Sequence, residues 1–296
     1  MYLQRIRRYK LEDLYVEAQK RAKQLLYQLM KNQEIPLLNY TFRFFFDYYV
    51  DENKILVLPH HFSNRKIEGL TVIDELGVSI SYERKNPVTK QNFTLCHELG
   101  HFLLEHEGGY FAESVDNQDS QIEREANIFS AVVLMPDIVL LSKIYYSCDS
   151  FQKVQDNLEV SKQALCFRLL NLLRNYSPLG EDKLKQAIDD YRQGENETII
   201  LLFHDIKEQI ICEYNQYKPC LRNQLENCIN DKGFASSIDL PGLHKQEDWE
   251  VLKQSIKNLK IWLIYNKGNS VAYAWDCTKL SEQEARKKAE LQLLLM

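Results

Sequence analysis

The stretch that most constrains this chain of 296 residues is His97-Glu98-Leu99-Gly100-His101. Positions four apart on a helix share a face, so a helix here presents two imidazoles to one point. Phe93, Cys96, Gly100, Leu103 and Leu104 fall at helical spacing and predict a buried helix from about Thr89 to His106. Pro87 precedes it and Gly108-Gly109 closes it. Gly100 costs roughly 1 kcal/mol inside a helix, which points to a neighbouring element that packs very close. A neutral imidazole pair suits zinc, and Glu98 is placed to act on a water at that metal. With 7 histidines and 42 acidic residues, chance supplies this pattern roughly 0.02 times per chain.

Catalytic zinc usually keeps three protein ligands and one open position. The next long helix, predicted from Gln121 to Met135 and stopped by Pro136, carries Glu123-Arg124-Glu125-Ala126-Asn127. Glu123 and Asn127 share a face, and Ala126 and Ser130 are small enough for close helix packing. Glu123 is the favoured third ligand, with Asn127 orienting a liganding histidine. Glu125 is the alternative, on a side that reads as facing solvent. Tyr110 and His106 are the candidates for stabilising a developing oxyanion.

Around these helices the pattern is mixed. Leu11 to Lys31 is helical, Tyr40 to Leu58 reads as extended, and Gly69–Asp74 and Val78–Glu83 read as a hairpin through Glu75-Leu76-Gly77. The Val78–Tyr82 strand is the expected edge for pairing with an extended substrate. Shorter helices are expected at Asp137–Tyr146 and Ser150–Leu158, with Ser161 capping another through Leu173. The charged stretch Gly180–Asn196 reads as an exposed helix and a hinge. Strands are then expected at Thr198–Phe203, Leu259–Tyr265 and Ser270–Trp275, and Ser281 to Glu284 fits a capping box. The expected fold class is α+β: a mainly helical domain with a small sheet over 1–195, including a helical region 137–175, then a smaller mixed α+β domain over 196–296.

Three separated motifs resemble the ImmA/IrrE family of metallopeptidases. They are Phe93-Thr94-Leu95-Cys96-His97-Glu98-Leu99-Gly100-His101, Glu123-Arg124-Glu125-Ala126-Asn127-Ile128-Phe129-Ser130, and Leu134-Met135-Pro136. The family pattern is an FTxxHELGH helix followed by an ExxANxFA helix ending in LLMP. Val160 to Leu165 with Arg168-Leu169 resembles the helical region after that proline. Ser130 stands where Ala is usual, and Val133 replaces one Leu of the LLMP run. The resemblance implies a zincin-like metallopeptidase fold for the domain over 1–195, one catalytic zinc ion and cleavage of a helix-turn-helix transcriptional repressor, in DNA-damage, stress, mobile-element or defence responses.

Composition narrows the class. Net charge is −5, with 37 basic against 42 acidic residues, which argues against duplex DNA as the main partner. The start, Met1 to Lys10, lacks the apolar run of a signal peptide, and no apolar run has the length of a membrane span. Seven scattered cysteines show no pairing framework, so a cytoplasmic protein with reduced thiols is expected.

Several signals carry bland readings beside sharp ones. Ser150–Leu173 has a helix-turn-helix shape, but its apolar residues suit packing onto the peptidase core. His60-His61 suggests a second metal site only weakly. Tyr214, Tyr217, Lys218 and Arg222 are a candidate patch for single-stranded nucleic acid, with ordinary packing favoured. The second domain is expected to sense a nucleic-acid or small-molecule signal or to recruit the substrate. The rival functions are a metal-binding regulator that acts by binding a protein or DNA without proteolysis, and a zinc hydrolase of non-peptide bonds.

Overall fold

Apolar residues at three- and four-residue steps build one long first helix, α1 (Tyr2–Asn32). The computed structural model describes residues 2–62, 67–106, 110–114, 120–266 and 268–295. The chain divides into two compact units, Met1–Tyr217 and Lys218–Met296.

The aromatic stretch expected to be extended is instead helical over α2 (Arg43–Glu52). Phe42, Phe45, Phe46 and Tyr49 stand at i, i+3, i+4 and i+7, and the first three are buried. Aromatic richness mimics a strand, but this spacing buries one helical face. Only the end of the stretch becomes a strand, β1 (Leu56–His60).

The hairpin forms as β2 (Ile67–Asp74) and β3 (Gly77–Glu83). Gly77 sits at φ +126°, where a side chain would be strained, and Leu76 N–H donates to Asp74 Oδ1 at 2.8 Å. With β4 (Tyr110–Ser114) the sheet order is β1-β3-β2-β4, parallel only between β1 and β3. The Val78–Tyr82 strand is therefore paired on both sides and is not an edge; β4 and β1 are the edges of the described sheet. Val57, Ile80, Thr71 and Phe111 lie opposite one another in a row across all four strands. Pleating sends them to one face.

Helix α3 (Val88–Leu103) packs on that face, α4 (Gln121–Leu134) packs on α3, and α1 on α4. Glu105, at φ 57°, follows the end of α3; Gly108-Gly109 lies outside the described residues. After Pro136, α5 (Asp137–Leu141) widens into a π-type turn over Ser142–Tyr146. Contrary to the sequence expectation, the run Gln121–Tyr146 is long and apolar enough to cross a membrane, but 83% of its most apolar window is buried within the protein.

Helices α6 (Phe151–Leu158) and α7 (Lys162–Tyr176) start on Ser150 and Ser161 caps. Phe151, Val154, Leu158, Leu165 and Leu169 enter the core, as packing rather than DNA reading requires. Helix α8 (Glu181–Gln193) is amphipathic rather than simply exposed: Leu184, Ala187, Ile188 and Tyr191 are buried, and Tyr191 OH donates to Asp149 O at 2.6 Å. The strand expected at Thr198–Phe203 is the start of α9 (Glu197–Gln216). Ile199, Leu202, Phe203, Ile206 and Ile210 recur at helical steps and join the first core. The first unit accordingly runs to Tyr217, past the break placed at 195/196.

The second unit contains α10 (Leu221–Lys232), β5 (Phe234–Ser236), α11 (Trp249–Ser255), β6 (Leu259–Asn266), β7 (Asn269–Asp276) and α12 (Glu282–Leu294). Its sheet order is β5-β7-β6, all antiparallel. Strand β7 is covered on both faces: Ala272 and Ala274 pack with α10 and α11 residues, Val271 and Tyr273 with Ala285 and Ala289 of α12. The Ser281–Glu284 capping box is formed.

Candidate metal centre

Helical spacing brings His97 and His101 together, and their Nε2 atoms lie 3.0 Å apart. Glu123 reaches in from α4, its Oε2 3.0 Å from His97 Nε2 and its Oε1 3.6 Å from His101 Nε2. One ligand atom from each of the three residues lies within 4.8 Å of the others, and all three residues are buried. It is the one such group of metal-binding type among the described residues; His61 instead meets Glu83 at 3.1 Å.

Close helix packing makes this meeting possible. A Cβ on Gly100 would come within 3.1 Å of the Phe129 ring, so α4 occupies the space a side chain would need. Ser130 Oγ donates to Phe93 O at 3.1 Å, tying the same two helices.

The donor set fits a cation. His97 Nδ1 lies 3.0 Å from Asn127 Oδ1, which only accepts, so the His97 proton sits on Nδ1. The neutral ring then turns the Nε2 lone pair toward a carboxylate and a second imidazole. Three electron-rich atoms at such range need a shared proton or a metal between them. In the metal-free cluster, where a shared proton stands in for the cation, burial is the main influence on Glu123 and opposes ionisation, but hydrogen bonds from His101 and His97 prevail and hold its carboxyl at about 2. Burial also pushes His101 below its usual range, toward the neutral form a metal takes.

Glu98 is fully buried on the sheet side of α3. Thr71 Oγ1 donates to Glu98 Oε2 at 2.6 Å. A Cβ on Gly69 would fall 2.4 Å from Glu98 Oε1, so β2 cradles this carboxylate with a glycine and a hydroxyl. Sequence reasoning missed both residues. Their signal was slight: Gly69 and Thr71 stand two apart on the buried face of a strand, where apolar side chains are the rule.

Other candidates are placed differently. His106 lies against His101 Nδ1 at 2.9 Å, on the ring edge away from the three-ligand point, out of position for an oxyanion donor there. Tyr110 is 62% exposed on β4. Glu125 does not simply face solvent, because it meets His106 Nε2 at 3.1 Å. Tyr214 and Tyr217 pack edge-on against Tyr27 of α1, at 5.0 and 5.4 Å between ring centres. None of the seven cysteines forms a disulfide.

An HExxH helix resting on a small sheet, with a glutamate delivered by the next helix, defines a metallopeptidase. A family model described as the IrrE N-terminal-like domain, a peptidase domain, matches residues 50–170. This part of the chain is thus similar to the peptidase domain of the ImmA/IrrE family. No curated protein matches the chain.

Proposed function

We propose that this protein is a zinc-dependent endopeptidase that cleaves a regulatory protein, with a helix-turn-helix transcriptional repressor encoded nearby as the leading substrate. The observation that carries the reading is the convergence of His97, His101 and Glu123 beside a glutamate held by Thr71. His97, His101 and Glu123 would hold the ion. When bound, zinc supplies Lewis acidity toward a carbonyl and lowers the pKa of water.

The chain's own residues do the rest. Asn127 keeps the His97 proton on Nδ1, so that its Nε2 lone pair is available. Thr71 holds the Glu98 carboxylate in one orientation, and Glu98 takes a proton from water and returns it to the leaving amine. The edge strand β4 offers backbone groups to an extended peptide. Its cross-strand partner β2 carries Thr71, so peptide and base are referred to the same sheet.

The test is co-incubation of the metal-quantified protein with the neighbouring repressor, with and without chelator. Glu98→Gln should retain zinc and lose cleavage by about 10²–10⁴-fold, the usual share of a general base. Undiminished cleavage by that variant would overturn the assignment. Binding of the repressor without a chelator-sensitive cut would instead indicate a non-proteolytic, metal-binding regulator. The second unit is read as a sensor or recruiting module. Adding single-stranded DNA to the same assay tests that role, and an unchanged rate and affinity counts against a nucleic-acid signal.

A further inference from the structure

Behind His101, away from the three ligand atoms, a line of polar groups runs outward. His101 Nδ1 lies 2.9 Å from His106 Nδ1, and His106 Nε2 lies 3.1 Å from Glu125 Oε2. The other Glu125 oxygen accepts from Gln121 Nε2 at 3.0 Å. Helical facing alone would separate His101 and His106, which are five positions apart. The chain instead closes a wide turn in which His106 N–H donates to His101 O at 3.2 Å, with Glu105 at φ 57°. That turn folds the His106 ring back onto its neighbour. Phe111 stacks on His101 at 4.9 Å and pins the same ring from the sheet.

Two imidazoles that meet nitrogen to nitrogen must share one proton between a donor and an acceptor. A metal held by His101 Nε2 uses that lone pair, so the His101 proton belongs on Nδ1. His106 Nδ1 must then accept, and the His106 proton belongs on Nε2, where Glu125 receives it. Every proton in the line has one position. His97 is oriented by an amide that accepts directly, whereas His101 is oriented by a group with two tautomers. Glu125 is what selects between them.

We propose that His106 is a positioning residue that fixes the orientation and tautomer of the metal ligand His101, and that Glu125 fixes His106 in turn. The proposal rests on the reading of His97, His101 and Glu123 as metal ligands. It adds His106 and Glu125 to the centre and makes the α3 end and the first turns of α4 one electrostatic unit.

The test titrates the full-length, metal-free protein with zinc against a chromophoric chelator, for the parent, His106→Ala, His106→Gln and Glu125→Ala. His106→Ala should weaken zinc on the order of 10–100-fold, the usual effect of removing a partner of a ligand. His106→Gln should recover most of the loss, because its amide accepts from His101 and donates to Glu125. Glu125→Ala should fall between, and it decides the question if His106→Ala does not fold. In the cobalt-loaded protein, the shifted N–H resonance of His101 should exchange rapidly with solvent in His106→Ala and stay protected in His106→Gln. Parent-like affinity and exchange in His106→Ala would overturn the proposal. So would an affinity loss that merely tracks a lower melting temperature of the metal-free variant and is not relieved by Gln. A parent that binds no zinc would instead remove the ligand reading itself, and the relay with it.

Discussion

Among the described residues of the first unit, two buried polar clusters are built on opposite principles. At the junction of α1, α5, α7 and α9, Lys23 Nζ lies 2.7 Å from both Asp137 Oδ2 and Glu213 Oε2. Arg168 pairs with Asp137 and donates through Nε to Met135 O at 3.0 Å, and Tyr176 OH donates to Glu213. Two cations face two carboxylates, so the cluster closes its own charge. At the junction of α3 and α4, two imidazoles and a carboxylate turn lone pairs toward one point. The first arrangement is complete as protein, and the second is complete only with a proton or a cation. Burial alone therefore does not mark a functional site, whereas burial with an unbalanced set of acceptors does.

The sharpest way to break that comparison is to damage each cluster in turn. Arg168→Met leaves Asp137 buried against one fewer cation and should cost about 3–5 kcal/mol in urea unfolding. The loss should be the same with and without zinc. Glu123→Gln should do the reverse. It should leave the metal-free protein near parental stability and abolish the zinc-dependent gain, which for the parent is about 2.7 kcal/mol at a hundredfold excess over Kd. Equal sensitivity of both variants to zinc would erase the distinction.

A substitution on the sheet sharpens it further. Gly69→Ala puts a methyl group 2.4 Å from Glu98 Oε1 and from Thr94 Cγ2. It should reduce cleavage on the order of 10²-fold through displacement of the base, with zinc affinity unchanged. Loss of zinc binding in this variant would show that Glu98 and the ligand set are not separable.

The smallest effect is the pH response. Burial opposes ionisation of Asp137, but Arg168 and Lys23 prevail and depress its pKa. Its contribution is therefore present above the unfolded value of about 3.9 and is lost as pH falls through the folded one. Burial lowers the Lys23 pKa, and Asp137 and Glu213 raise it past the ordinary value. Its contribution is present below the unfolded value of about 10.4 and is lost as pH rises through the folded one. Stability from this cluster should be flat around neutrality. Asp137→Asn should flatten the acid limb of urea midpoint against pH, and an unchanged limb would assign acid unfolding to other carboxylates.

What was legible in the sequence was local. His97, Glu98 and His101, and Glu123 with Asn127, are related by helical steps of three and four, and the pattern itself implies their geometry. Thr71 reaches Glu98 from another element, and Lys23 meets Glu213 across a separation of 190 residues. No periodicity encodes such pairs. The errors share a cause as well. Phe42 to Tyr49 and Thr198 to Phe203 have strand-like composition but helical spacing, and tertiary packing followed the spacing. The contact of His106 with His101 escaped because the turn after α3 leaves the helical repeat, so spacing from His101 did not reveal it.

The tight turn between β2 and β3 lies at the surface, with Leu76 97% exposed. Exposed turns are where chains usually accept insertions and deletions most readily. This one should not. Thr71 stands opposite Ile80 and both belong to the face that α3 covers, so losing one residue at Glu75-Leu76 would force one of them to the other side. Either the core loses its isoleucine or Glu98 loses its hydroxyl. The length of a solvent-facing loop thus governs the aim of a carboxylate it never touches, and tolerance to indels there is a property of the active centre.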